Sequence, residues 1–429
     1  GYKQVCESAN RIMALRLSRV LRGSVVAGGV AYTPGSKQRF PLPPGGYTCE
    51  ETRPKLFIPG PIEFSPEVLH AYSRGARAHT DATIIEEFGQ SIEMLRECFL
   101  TKDAQPFILS GSGAMGWDAV ATNLLMPGEK GLVLSSGHFS DRFIDCFVQY
   151  KCDITIIDAP RPGTRPCNIE VEKALSEAVK AGKPYKIITI TGVDTSTAVL
   201  ADLQKLCEIT RAVSPTTLIV VDAVCSAIGE ELRMDEWGID FVHTASQKAI
   251  GVPAGLGIMI ASQKCMASLP SKDKIPNSFV NLQNWLPIME AYENRKPSYF
   301  ATPATNTIGA LRVGLDQILN TPGGVEGYFK QHRNCASWVR AELARMGLKL
   351  LTETPEIASN LLSCVRYPEG KKATEVLPEM KKKGWIVAAG LHPKCANEYF
   401  RIGHMAYSTS GRVNYLERLL IDLKEVIGR

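Results

Sequence analysis

Residues 216–262 read TTLIVVDAVCSAIGEELRMDEWGIDFVHTASQKAIGVPAGLGIMIAS, and the fold is decided in this stretch. Leu218–Val221 is an apolar, largely β-branched run that stops on Asp222. Ile239–Val242 is a second, mostly apolar patch and leads into His243-Thr-Ala-Ser-Gln-Lys248. Gly255–Ile260 is a third, after a Gly/Pro loop. Short apolar runs bounded by turn residues predict strands buried on both faces. Two of the three then deliver a charged residue near a strand's C-terminal end, where open α/β sheets bind ligands.

A lysine and an aspartate at that edge suggest pyridoxal phosphate. The amine can form a Schiff base, and a carboxylate keeps the pyridinium nitrogen protonated so that the ring withdraws electrons. Taken singly, Asp222 could cap the next helix and Lys248 could be a solvated lysine. The order strand–Asp222, strand–Ser246-Gln247-Lys248, Gly-rich strand resembles the cofactor-lysine region of the class V, fold-type I aminotransferases, the alanine–glyoxylate and serine–pyruvate group. The resemblance implies that Lys248 holds the cofactor and that Asp222 and Gln247 belong to its site.

Composition sets the frame. The 429 residues are 45% hydrophobic and 22% charged, ordinary for a globular chain with a large core and a smaller domain. No apolar run approaches the ~20 residues of a membrane helix. Of the net charge of +5, all falls in residues 1–50, which hold seven of the 49 Lys/Arg and two of the 44 Asp/Glu. The remainder is balanced, so no nucleic-acid surface is indicated. Twelve cysteines form neither a CxxC pair nor a His-spaced cluster, so neither a metal site nor a disulfide framework is expected.

Met13 opens MALRLSRVLRGSVVAGG, with Arg16, Arg19 and Arg22 at helical spacing and no acid before Glu50. This reads as an amphipathic mitochondrial presequence, or else a basic disordered tail. Pro41–Gly46 reads as a linker. The folded part is expected from about Leu56.

Pro106-Phe-Ile-Leu-Ser-Gly-Ser-Gly-Ala-Met-Gly-Trp-Asp118 predicts a strand, a glycine turn and a helix over 117–125. Such a turn leaves backbone N–H groups and a helix N-terminus free for phosphate. Gly111, Gly113 and Gly116 also spell GxGxxG, the nicotinamide-dinucleotide pattern. That pattern needs an acid at the end of the next strand, and 131–134 ends in Ser135-Ser-Gly137 instead. By resemblance, Ser112, Gly113 and Ala114 hold the cofactor phosphate, Ala114 through its backbone alone.

Further positions follow from the same likeness. Phe139, in His138-Phe-Ser-Asp-Arg-Phe143, matches the aromatic that stacks on the pyridine ring, although a core aromatic is the commoner reading. Thr195, in Gly192-Val-Asp-Thr-Ser-Thr197, matches the segment beside the ring oxygen, with the N-cap of a helix over 200–212 as the alternative. Gly60, in Phe57-Ile-Pro-Gly-Pro-Ile62, matches the arm that approaches the site. Tyr299 and Thr302 match a segment that reaches the partner's phosphate, implying a homodimer with shared sites. Arg401, in Phe400-Arg-Ile-Gly-His-Met405, matches the arginine that takes the substrate carboxylate through a planar two-point fork. His79 and His404 receive no role.

The expectation is an α/β protein: a large doubly wound, mostly parallel sheet domain over 51–320 and a smaller α+β domain over 321–429, with strands at 348–351, 362–366 and 385–388. The expected activity is pyridoxal-phosphate transamination between a small amino acid, alanine or serine, and glyoxylate or pyruvate. Another class V chemistry (a lyase or a kynureninase-like cleavage), a dinucleotide-dependent dehydrogenase and a binding protein on the same fold stay open.

Overall fold

Leu218–Asp222, here β5, is the central strand of a seven-stranded sheet. The other strands are β1 (Gln105–Ser110), β2 (Lys130–Ser135), β3 (Asp153–Asp158), β4 (Ile187–Thr191), β6 (Phe241–Ala245) and β7 (Leu256–Ala261). Their order across the sheet is β1-β7-β6-β5-β4-β2-β3. β7 runs antiparallel to both β1 and β6, and all other pairs are parallel. Every residue of β4, β5, β6 and β7 is buried, which requires layers on both faces and explains runs that are apolar without alternation. The computed structural model describes residues 53–428, and Leu56–Arg429 form one compact unit. The presequence expected from Met13 and the linker at Pro41–Gly46 lie outside the described residues.

The helices that position the site are α1 (Pro66–Tyr72), α2 (Ala82–Cys98), α3 (Met115–Asn123), α4 (His138–Gln149), α5 (Asn168–Lys180) and α6 (Leu203–Val213). α7 (Leu282–Glu293), α8 (Thr305–Leu319) and α9 (Gly324–Arg345) follow. Their starts obey capping chemistry where the residue allows it. The Ser65 hydroxyl accepts from Val68 N–H at the head of α1, and Asp81 accepts from Thr83 N–H at the head of α2, each worth about 1 kcal/mol.

A large apolar core surrounds the sheet. A second one is built by Val339, Leu343, Val365, Phe400, Ile402 and Leu419, with Phe57 inserted from the N-terminal arm. α9 serves both: Val325 and Phe329 pack in the first core, Val339 and Leu343 in the second. The second core backs a three-stranded antiparallel sheet of β8 (Leu362–Arg366), β10 (Tyr399–Gly403) and β9 (Ala388–Ala389), with β10 in the middle.

Three expectations need correction. Residues 348–351 form no strand; Leu350 makes one isolated bridge to Val365. The helix expected from Leu200 begins at Leu203, because Val199–Leu200 pairs back onto Val193–Asp194 as a short hairpin. Thr195 therefore lies in the hairpin loop and caps nothing. The dinucleotide pattern also fails topologically. Such a site needs β1 and β2 adjacent and parallel, whereas here four strands separate them and β1 is an antiparallel edge.

Candidate active site

The parallel register lines up Thr191 and Asp222, the last residues of β4 and β5, with His243 in the middle of β6. Asp222 is buried, and a buried carboxylate must be met by donors. Trp117 Nε1 donates to Oδ2 at 2.8 Å and Val224 N–H to Oδ1 at 3.0 Å. Trp117 stands in the first turn of α3, so the glycine turn and the strand-end carboxylate are tied by one bond. Gly113 permits the approach: a Cβ there would sit 2.6 Å from Val224 Cγ2. Ser112 and Ala114 are exposed on the open side of this turn, and Ala114 offers the α3 N-terminus no side-chain cap.

Lys248 lies three residues beyond β6, in a turn rather than on the strand. Its amine donates to the Pro59 carbonyl. The arm above it is pinned on both sides, since Phe57 N–H donates to Ile386 at 2.8 Å and Gly403 N–H to Phe57 at 2.7 Å. Gly60 has φ +110°, a conformation that favours glycine, and lies directly on the lysine chain. Burial pushes the Lys248 amine below its ordinary value; Cys225 and Asp222 work against this and Arg401 adds to it. Gln247 is partly buried beside it.

Arg401, in β10, is paired across the small sheet with Cys364 and Ala388. Nε donates to the Ala389 carbonyl at 2.8 Å and Nη1 to the Thr195 carbonyl at 3.1 Å. Its contacts with protein are thus neutral carbonyls, and burial holds the guanidinium below its ordinary value. Thr195 meets the site through this main-chain oxygen. Its neighbour Asp194 accepts from Phe139 N–H at 2.9 Å and Ser140 N–H at 3.1 Å, so it caps α4 from 55 residues away and fixes Phe139. The N-cap residue of α4 is Gly137, which has no side chain to do this.

Tyr299 and Thr302 are not brought to Lys248 within the chain. Both are exposed; the Tyr299 hydroxyl meets Thr302 Oγ1 at 3.1 Å and its ring lies 5.0 Å from that of His79. The Thr302 carbonyl accepts from Ser110 Oγ, at the end of β1, at 3.4 Å. His404 is fully buried, with Nε2 2.9 Å from Ser363 Oγ.

Sequence reasoning passed over Trp117, Asp194 and His243. No local signal marked the last: His243 is the middle residue of β6 and meets Asp222 only through the register. The donor set fits pyridoxal phosphate. A desolvated amine lies under a glycine whose Cβ would fill its space, a carboxylate is held by two fixed donors, and a helix N-terminus lacks a side-chain cap.

The family described as aminotransferase class-V matches residues 66–416. The alanine–glyoxylate aminotransferase 1 of Saccharomyces cerevisiae is 37% identical, over 83% of this chain and 93% of the yeast protein. The L-aspartate–glyoxylate aminotransferase of Paracoccus denitrificans is 30% identical, over 82% of this chain and 87% of its own. Among solved structures, the ureidoglycine–glyoxylate aminotransferase of Bacillus subtilis superposes with a TM-score of 0.78 at 26% identity, over 88% of this chain and 93% of that one.

Proposed function

Because this chain belongs to the class-V aminotransferases, we propose that it moves an amino group from alanine or serine to glyoxylate or pyruvate, with pyridoxal phosphate as cofactor. The observation that carries the reading is Lys248, half-buried against the Pro59–Gly60 arm just beyond β6, beside a strand-end Asp222 fixed by Trp117 and Val224. The yeast and Paracoccus relatives, both named for glyoxylate, support the choice of acceptor.

When bound, the cofactor supplies an aldehyde for the amino group and a protonated ring that draws electrons from the substrate's Cα. The residues divide the remaining work. Lys248, whose amine burial shifts toward the neutral form, is the nucleophile that holds the cofactor and then the base that takes and returns the proton at Cα. Asp222, fixed by Trp117 and Val224, keeps the ring nitrogen protonated. The backbone of Ser112, Gly113 and Ala114 at the head of α3 receives the phosphate. Phe139 would pack against the ring, with Thr195 and Gln247 beside it. Arg401 trades its backbone carbonyls for the substrate carboxylate, a charged and bidentate partner. Gly60 closes the arm over the lysine.

The exposed Tyr299–Thr302 pair supports a homodimer in which these residues complete the partner's phosphate site. The basic stretch from Met13 supports delivery to the mitochondrion, which fractionation of a tagged full-length chain would test.

The deciding experiment is a visible spectrum of the protein with pyridoxal phosphate, beside Lys248→Ala. A bound-cofactor band that fades with L-alanine or L-serine and returns with glyoxylate supports transamination. A band that fades and is restored by no 2-oxo acid points to lyase chemistry, and absence of any band refutes the cofactor.

A further inference from the structure

Asp222 has a neighbour for which the site so far has no use. His243 stands opposite it in the parallel register of β5 and β6, with no exposure to solvent. Its Nε2 lies 3.9 Å from Asp222 Oδ2, beyond hydrogen-bond range, and neither ring nitrogen makes a well-formed hydrogen bond among the described residues. Buried polar atoms without partners are costly, and an apolar ring would fill the slot without that cost. The surroundings are nevertheless shaped to an imidazole. Gly116 leaves out the Cβ that would overlap the ring, on its Nδ1 side, and Phe143 meets it edge-on at 5.7 Å. Of the elements packed around the ring, α3 and its leading turn present Gly113 and Gly116, α4 presents Phe143, and β5 presents the charged group, Asp222.

We propose that His243 is a positioning residue for the cofactor ring: its Nε2–H backs the Asp222 carboxylate and holds it oriented toward the ring nitrogen. This rests on the reading of the site as one for pyridoxal phosphate. With water excluded, a dipole within 4 Å of a carboxylate acts far more strongly than it would in solvent. Neutrality is essential to the role. An imidazolium would pair with Asp222 and drain from it the charge that the pyridinium nitrogen requires. Burial depresses the imidazole below its ordinary value and so favours the neutral state, while Asp222 and the Gly113 backbone pull the other way. Nε2 faces the carboxylate, so the role requires the tautomer that carries its proton there.

The test compares the unmutated protein with His243→Phe and His243→Gln, after circular dichroism and melting have established their folding. Pyridoxal phosphate is titrated by the absorbance of the bound cofactor and by the change in tryptophan emission, to which Trp117 beside Asp222 contributes. His243→Phe should bind roughly tenfold more weakly, the loss of one interaction with a charged group, and His243→Gln, which keeps an N–H, should recover most of this. In histidine-labelled unmutated protein, the ring-nitrogen signals that vanish in His243→Gln should report a neutral ring protonated on Nε2 and should move when cofactor is added. Unchanged affinity in a folded His243→Phe overturns the proposal, as does equal weakening in both variants. If His243→Phe does not fold, the labelled spectrum decides, and an imidazolium or an Nδ1–H ring is fatal. Failure of the unmutated protein to bind cofactor removes the cofactor reading and this inference with it, whereas binding that His243 does not influence removes the inference alone.

Discussion

Gly60 and Lys248 occupy one space: a Cβ on the glycine would stand 2.6 Å from the lysine Cδ and 2.8 Å from its amine. The arm is pinned to Gly403 and Ile386 and cannot retreat, so the flexible lysine would have to move. Gly60→Ala is therefore expected to damage function more than folding. Backbone strain at φ +110° costs about 1–3 kcal/mol, while the displaced amine should reduce transamination roughly a hundredfold. Melting curves alongside cofactor titration would separate the two; a variant with full activity would show that the lysine has another place to go.

Trp117→Phe removes the 2.8 Å donor from Asp222 and leaves most of the packing against Phe143 in place. A bond to a charged group is worth about 1.5–3 kcal/mol, so cofactor affinity should fall on the order of tenfold or more. Asp222→Asn should retain cofactor on Lys248 yet lose on the order of 10²–10³ in rate, because the charge facing the ring nitrogen is gone. Retained absorbance with collapsed turnover is the expected signature; retained turnover would take Asp222 out of the mechanism.

Lys248 makes stability depend on pH in a direction fixed by its cause. Burial depresses the folded-state value below the ordinary 10.5, so the unfolded chain binds more protons between the two values. Stability then rises with pH across that window, and the penalty is full below the folded-state value. In cofactor-free protein, Lys248→Met should be more stable than the parent at neutral pH, with the advantage shrinking toward pH 10. Urea unfolding at pH 7 and 9.5 checks the sign, and an advantage growing with pH would contradict it.

How far the sequence foretold this site depends on whether the information is local. Asp222 and Lys248 were legible because each follows a short apolar run, and a buried sheet leaves its charged residues at strand ends. The Arg401 segment was legible only by resemblance, since nothing local tells a site arginine from a surface one. What was hidden is relational. Asp194 caps α4 across 55 residues, Trp117 reaches Asp222 across 105, and His243 acquires meaning only from the register of β6 on β5. The direction of β7 was equally hidden, because an apolar run fixes burial and not polarity.

Glu230 gives a last prediction, away from the chemistry. It is buried, and three donors meet it: Ser359 Oγ at 2.8 Å, Asn360 N–H at 2.6 Å and Asn360 Nδ2 at 2.8 Å. Burial raises its carboxyl above the ordinary 4.5, and these donors and Arg340 hold it back. Asn360→Ala removes the side-chain donor and leaves Oε2 unpartnered, at a cost of about 1–3 kcal/mol once the carboxylate is ionised. Because the folded state holds its proton more tightly than the unfolded chain, this group's contribution is full below pH 4.5 and is lost as pH rises through the folded-state value. Without Asn360 that value climbs further, so the loss extends to higher pH. The variant's deficit against the parent should be larger at pH 8 than at pH 5. Urea midpoints at the two values decide; a deficit that is constant or shrinks with pH would mean that the Asn360 amide supports its loop rather than the Glu230 carboxylate.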